Sequence, residues 1–482
     1  MAPVSRFLPI PLGPSSSPAR SSNVSTAKII NAFVEVTEAG KSGFTIYGDM
    51  GLDEFVSFAN EGSIRGGLLF GASLYVVAGE TLYKVISDGT KTTIGDVFGT
   101  LPVIFARNAQ SPNPQIIIVA DSIVYLLQAD VLTVFPDADL PATVVSATFI
   151  DNYIVFLLAD GRFFWSTVND ADDIDPLDFK TAEGRPDGGV RNITLGREMW
   201  VVGDETTEVY ATSTDVTDPF PRIGGGFISR GSKSKHAICI ADNTLVMPTD
   251  SGIVVRMSGF TPLRISNSAV ERDLQRTYNA QRASEIEGFV WNDGGHEFYQ
   301  ISGPDWTWVY DFSTRLWHGK ESLGILRSKI RHYFRAFDQH IVGNHASATL
   351  YRMSAEYYDE DGQELVMTIR TPVFDEQGYY ITWDCLMLDM EMGVGNALAD
   401  SAGPNFNPRV MLNWSDDGGH TWGPERERPL GEQSNFKGRL QFNQLGTSRE
   451  QGRSYQIRIS AACKKVAIQA HARIRAHKAQ AA

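Results

Sequence analysis

The chain has 482 residues, 42% of them hydrophobic and 21% charged, which is too long for one ordinary core and too apolar for disorder along most of its length. No run approaches the ~18 uninterrupted apolar residues of a membrane-spanning helix, and Pro9 and Pro11 break the apolar start, so neither a span nor a secretory leader is expected. The net charge of −14 argues against a general nucleic-acid-binding surface.

That charge is unevenly placed. Residues 151–220 hold 15 acids and five bases, a net −10, whereas residues 423–482 hold 12 Lys or Arg and four Glu, a net +8. The first 30 residues carry Arg6, Arg20 and Lys28 and no acid. Opposed patches suit head-to-tail or partner contacts, although ordinary solvated faces can produce the same totals. Cys239, Cys385 and Cys463 lie far apart and outside any CxxC pair. They read as small buried residues in a reducing compartment, not as a disulfide framework or a zinc site.

Residues 1–54 read as an N-terminal docking segment that opens with an extended arm, residues 1–30. Pro9, Pro11, Pro14 and Pro18 alternate with Ser and Ala, and nothing there has a core-forming period. Ordering such a segment costs roughly 1–2 kcal/mol per residue, so it needs a surface to lie on.

Residues 55–361 carry short apolar runs split by turn signals. Leu68–Phe70, Leu74–Val77 and Leu82–Val85 are separated by Gly71-Ala72 and Gly79-Glu80. Later copies use Asp151-Asn152, Asp160-Gly161, Asp242-Asn243 and Asp293-Gly294-Gly295. Such separators favour tight hairpins. The cadence recurs about every 35–50 residues, the period of a propeller blade. The expected fold is therefore all-β, with a β-propeller-like domain of six or seven small antiparallel sheets. Stacked antiparallel sandwiches are the competing architecture. One helix is expected, within residues 268–286, where Val270, Leu274 and Tyr278 share a face.

Beyond Asp361-Gly362 longer alternating strands begin, and residues 362–482 read as a C-terminal β-sandwich. His471, Arg473, Arg475, His477 and Lys478 suggest a basic tail.

The sharpest local motif is the Asp-box of Ser415, Asp417, Gly419, Thr421 and Trp422. Asp417 can accept from turn amides, the glycines permit positive φ, and Trp422 can pack beneath the turn. Its reading is structural. Glycosidase chemistry needs paired carboxylates, and Asp172, Asp173, Asp175 and Asp178 cluster, but adjacent acids on a loop are common. The same acids lack the Gly and closing Glu of a calcium loop. The histidines, including His332, His340 and His345, form no HExxH, and phosphate-cradling and nucleophile-elbow motifs are absent. No catalytic set, cofactor or metal is expected.

Several separated segments resemble a viral family. Trp165-Ser166, Asp170–Asp173, Asp175-Pro176-Leu177, Phe179 and Thr181-Ala182-Glu183 with Pro186-Asp187-Gly188 form the first. Glu208-Val209-Tyr210, Pro219-Phe220 and Gly231 continue it. Arg264-Ile265-Ser266 with Ala269-Val270-Glu271, Trp414–Gly418, Leu430-Gly431 and Leu445-Gly446 with Arg449 follow in order. The pattern is similar to the packaged-DNA stabilisation proteins, the tail hubs or nozzles of short-tailed bacteriophages.

That resemblance implies a structural virion protein, not an enzyme, assembled in the host cytoplasm. It implies a homo-hexameric ring below the portal and its adaptor protein, a distal needle, plug or fibre, and genomic DNA passing through the lumen without sequence-specific binding. A basic wall would hold DNA by releasing counterions, so Asp172, Asp173, Asp175 and Asp178 become candidate channel-wall acids. Arg6, Arg20, Arg473, Arg475 and Lys478 become candidate partner-contact bases, with the arm lying on a neighbouring chain. The alternative is an Asp-box-containing carbohydrate-binding or glycoside-hydrolysing propeller.

Overall fold

The computed structural model describes residues 6–478, apart from 59–61, 183, 186, 216, 377–378, 402 and 450. It is all-β but for one α-helix and a single 3-10 turn among the described residues. Seven four-stranded antiparallel units follow one another along the chain. They span residues 64–96, 104–134, 144–181, 189–228, 239–264 and 287–319, and residues 330–354 join Gly51–Ser57. We call these blades 1 to 7.

Local chemistry makes the blades. Asp121-Ser122, Asp151-Asn152, Asp242-Asn243 and Phe337-Asp338 all hold positive φ at both positions. That is the geometry of two-residue hairpin turns whose twist matches the flanking strands. Between the turns run strands such as Tyr153–Leu158, whose residues Ile154 to Leu158 are fully buried. They read as continuous apolar runs because each blade is covered on both faces.

The apolar side chains meet between blades, not within one central core. Separate clusters join blades 1 and 2, 2 and 3, 3 and 4, 4 and 5, 5 and 6, 6 and 7, and 7 and 1. The ring is therefore closed. Its clasp is Gly51–Ser57, the outer strand of blade 7, which pairs from Ser57↔Thr349 to Gly51↔Ser354. A strand that precedes blade 1 thus completes the last blade. The expected boundary at residue 55 cuts through this strand. Helix α1, Ser268–Asn279, is capped by Asn267, whose side chain accepts from the amides of Ala269 and Val270. It packs Val270 and Leu274 between blades 5 and 6.

The sandwich has two sheets. One orders Lys28–Ile30, Met367–Arg370, Ser454–Ile459, Arg409–Ser415 and Arg426–Pro429. The other orders Ala32–Val36, Phe44–Gly48, Val466–Lys478, Tyr379–Met390 and Leu440–Asn443, with Arg6–Ile10 added on Val466–Lys478. Ile10, Leu12, Ile29, Ala32, Val34 and Ile46 lie in the core between them, beside Trp383 and Ile474.

Two expectations are corrected here. Residues 6–48 are not an arm reaching a neighbour. Their apolar side chains fill this chain's own sandwich, and the prolines are tolerated because Pro9 sits on an added edge strand that needs no donor there. Likewise residues 466–478 are not a tail. Ala470, Ala472 and Ile474 are buried on one face of a long strand, and the basic residues alternate with them.

Candidate functional site

The Asp-box closes the hairpin between Arg409–Ser415 and Arg426–Pro429. Asp417 Oδ1 accepts from the Ser415 hydroxyl at 2.7 Å and the Thr421 amide at 2.9 Å. The Gly419 amide donates to Ser415 Oγ at 2.8 Å. Gly418 and Gly419 hold φ of +72° and +89°, so no other residue fits this turn without strain. The Thr421 hydroxyl and amide hold the Asp417 carboxyl well below the usual carboxylate range. All of its described partners belong to its own turn. Trp422 is half-buried under the Arg370 guanidinium, 5.1 Å from the ring centre.

Sequence reasoning missed the stronger anchor next door. Asp416 accepts twice from Arg453, from Nε at 2.6 Å and Nη2 at 2.8 Å. The Arg453 side chain is 1% exposed. It donates to the Leu445 carbonyl at 2.7 Å and lies against the rings of Trp383, Trp414 and Tyr455. Such a site satisfies a guanidinium in apolar surroundings. The N-terminal segment seals the other side. A Cβ on Gly418 would stand 1.7 Å from Asn23 Oδ1, and Thr26 Oγ1 donates to the Thr371 carbonyl at 2.8 Å. Nothing local to residues 415–422 signals either contact.

The four acids lie on Asp170–Thr181, the outermost strand of blade 3. Asp173 and Asp175 are exposed, and Asp172 and Asp178 are half-buried. Gln115 Nε2 donates to Asp170 at 2.9 Å and Asp172 at 2.6 Å. The hydrogen bond between the two carboxyls raises the Asp172 pKa and lowers that of Asp170. Burial and the neighbouring Asp175 raise Asp178. Asp175 is occupied in capping its own turn, accepting from the Leu177 amide at 2.9 Å.

Among the basic residues, Arg6 stands opposite Ile474 in the strand ladder, and so beside Arg473 and Arg475 on the sandwich. Arg6 pairs with Glu376. Arg475 pairs with Asp384 at 2.7 Å, while Arg473 stacks on Phe7. Arg20 is exposed at the rim of a cleft beside Glu271 and Gln275 of α1. Lys478 ends the last strand, and its side chain lies outside the described residues.

The family-like segments are structural supports. Asp187 accepts from the amides of Glu205 and Thr206 at 2.9 and 2.8 Å, fixing a turn of blade 4. Gly231 is pressed so close to that turn that a Cβ would stand 2.4 Å from the Gly203 carbonyl oxygen. Glu271 accepts from Arg264 and Ser266, both at 2.7 Å, at the start of α1. Glu183 and Pro186 lie outside the described residues.

Residues 10–358 match the family model described as Bacteriophage P22 Gp10, beta-propeller, and residues 367–475 match that described as Bacteriophage P22 Gp10, beta-sandwich. No curated protein matches the sequence. Among solved structures, the extracellular domain of BT4673 from B. thetaiotaomicron is similar at 11% identity and a TM-score of 0.43; the match covers 75% of this chain and 43% of that one. The WD40 beta propeller domain of Doa1 is similar at 9% identity and a TM-score of 0.40, over 63% of this chain and 96% of that one. The computationally designed Ika8 protein is similar at 12% identity and a TM-score of 0.36, over 63% and 100%.

Proposed function

The chain belongs to the bacteriophage P22 Gp10 family, and from that premise we propose that it is a tail hub or nozzle subunit of a short-tailed phage. In this reading it forms a homo-hexameric ring below the portal and adaptor. The ring extends and closes the DNA channel, retains the packaged genome and passes it during ejection. The observation that carries the reading is the match of both lobes, in order, to the two models of one phage structural family.

Physical features support it. A subunit at the end of a pressurised channel works under load, and here the two lobes share a sheet and a buried ion pair. Lys320 and Asp49 meet at 2.9 Å with side chains 1% and 6% exposed, at the junction of propeller and sandwich. The Asp-box, the one motif that favoured a carbohydrate-active protein, spends its carboxylate on its own turn. The adaptor, a distal needle, plug or fibre, and DNA sliding through the lumen are the partners of this proposal. The virion tail is its location, after assembly in the host cytoplasm.

Particles assembled without the chain test it. They should package DNA and then lose it, and adding back purified protein should restore retention. Particles that keep their DNA without it contradict the proposal.

A further inference from the structure

The sandwich carries an exposed apolar projection beside one outer face and a methionine-lined groove on the other. The projection is the loop of residues 320–329 between blades 6 and 7. Its base is fixed: the Ser322 amide donates to the Arg327 carbonyl at 3.0 Å and the Ile325 amide to the Ser322 carbonyl at 3.1 Å, while Ser322, Arg327 and Ser328 are buried. Its tip is open: Leu323, Ile325 and Leu326 are 52%, 40% and 65% exposed. Clustered exposed apolar side chains of this kind mark contact surfaces. The tip shares a cleft of about 400 Å³ with Thr368 and Arg458. These two alternate with Met367, Ile369, Ile457 and Ile459 of the core, so the cleft opens on the outer face of that sheet. Glu321 and Arg458 there are met by Lys28 and Glu425. Glu364, also at the cleft, is exposed and makes no ion pair among the described residues, nor does Asp361 on the same hairpin.

The groove, of about 460 Å³, belongs to the other sheet. Met387 lines it and alternates with Leu386 and Leu388 of the core, so the groove opens on the opposite face of the sandwich. Met390, Met392 and Phe436 complete its apolar wall, and Phe436 is 71% exposed. Methionines make such a wall adaptable to a partner's side chains. Asp389 and Glu391 at the groove are met by Lys41 at 3.3 Å and Lys464 at 2.9 Å. Arg439 lines it too, and Lys437 stands next to Phe436 in the chain; both are exposed and make no ion pair among the described residues. An apolar projection flanked by free acids thus faces one way, and an apolar groove flanked by free cations faces the other. The sandwich core lies between them, so the two cannot meet within one chain, and the occupant that fits the groove is a second copy.

We propose that residues 323–326 of one copy dock in the groove of Met387 and Phe436 of the next, with Glu364 and Asp361 facing Arg439 and Lys437. Projection and groove are different surfaces, so each copy offers one of each, and the contact is head-to-tail. Such a contact propagates until it closes on itself. For that closure the inference rests on the ring of the proposed function, and it names the two faces that build the ring.

Sedimentation of the purified full-length chain tests it, with two variants altered only at exposed side chains. Leu323→Asp with Leu326→Asp spoils the projection and keeps the groove. Phe436→Asp with Arg439→Glu spoils the groove and keeps the projection. The native chain should assemble beyond a monomer below about 100 µM, and each variant alone should associate at least about tenfold more weakly. An equimolar mixture of the two variants should form dimers and nothing larger, because one intact groove there meets one intact projection. If a double variant fails to fold, Leu326→Asp or Phe436→Asp alone takes its place with the same expectation. A native chain that stays monomeric to about 100 µM, a folded variant that assembles like the native chain, or a mixture that stays monomeric or grows past dimers overturns the proposal. Each of these results leaves the hub reading standing, which falls instead to particles that keep their DNA without the chain.

Discussion

Ile30 and Gly319 pair in a parallel ladder, and through that pair the outer strand of blade 6 runs on into the sandwich. The two lobes are thus one hydrogen-bonded sheet at this point. Lys320, the next residue, is paired with Asp49 in the same junction. Lys320→Met leaves Asp49 buried without its counter-charge and should destabilise the chain by about 3–5 kcal/mol, while Lys320→Met with Asp49→Leu should recover most of that loss. Denaturant unfolding of the three proteins measures it; equal stability of all three contradicts the assignment.

A second prediction separates the two acids of the Asp-box. Asp416→Ala strands the buried Arg453 guanidinium and should cost about 2 kcal/mol, a figure reduced because the Asp416 side chain is 35% exposed. Asp417→Ala loses only bonds within an exposed turn and should cost less. The order of the two melting temperatures is the readout, and the reverse order would show that the turn, not the Arg453 anchor, holds the hairpin.

The pH dependence follows from the Asp417 carboxyl. Its pKa is lower in the folded chain than in the unfolded one, first through the Thr421 hydroxyl. Its contribution is therefore complete above about pH 4, near the unfolded value, and is lost as pH falls below it. The stability gap between the native chain and Asp417→Asn should be largest at neutral pH and close as the pH is lowered from 5 to 2. A gap independent of pH in that window contradicts the role given to the carboxylate.

Deleting residues 1–12 removes Ile10 and Leu12, each 3% exposed, from the sandwich core. The isolated chain should lose about 3–6 kcal/mol, from the burial of two aliphatic side chains. An arm that served only a neighbouring chain would leave the isolated chain's melting unchanged.

That contrast shows what the sequence discloses and what it hides. The blades are legible because each is made locally, from apolar runs and Asp-Asn or Asp-Gly turns a few residues apart. The pairing of Ile30 with Thr368 and Gly319 is not. It joins residues hundreds of positions apart, and a three-residue strand has no period of its own. The strand Val466–Lys478 was hidden for another reason. Its buried face is built largely of Ala, so its alternation reads as a run of positive charge. At the hairpin, Asp417 was legible from the spacing of its turn, but Asp416 was not, because its partner Arg453 lies 37 residues away.

The outer strand of blade 3 offers a test of the channel wall. Asp173→Lys with Asp175→Lys should leave the blade folded, since both side chains are exposed and the only described bond lost is that from the Leu177 amide to Asp175. If this strand faces the lumen, the swap should slow genome ejection at low salt, and added salt should restore the rate, because counterion release at the phosphates is salt-dependent. Ejection at the normal rate in low salt, with the variant ring present on particles, places these acids elsewhere.

The most direct test of the central claim is a reconstruction of the mature phage particle by electron cryo-microscopy at its portal vertex. The account predicts a six-fold ring below the adaptor, each subunit fitted by one propeller joined through blade 6 to one sandwich, around a channel wide enough for duplex DNA. Density for this chain anywhere other than the channel axis, or its absence from DNA-filled particles, would contradict it.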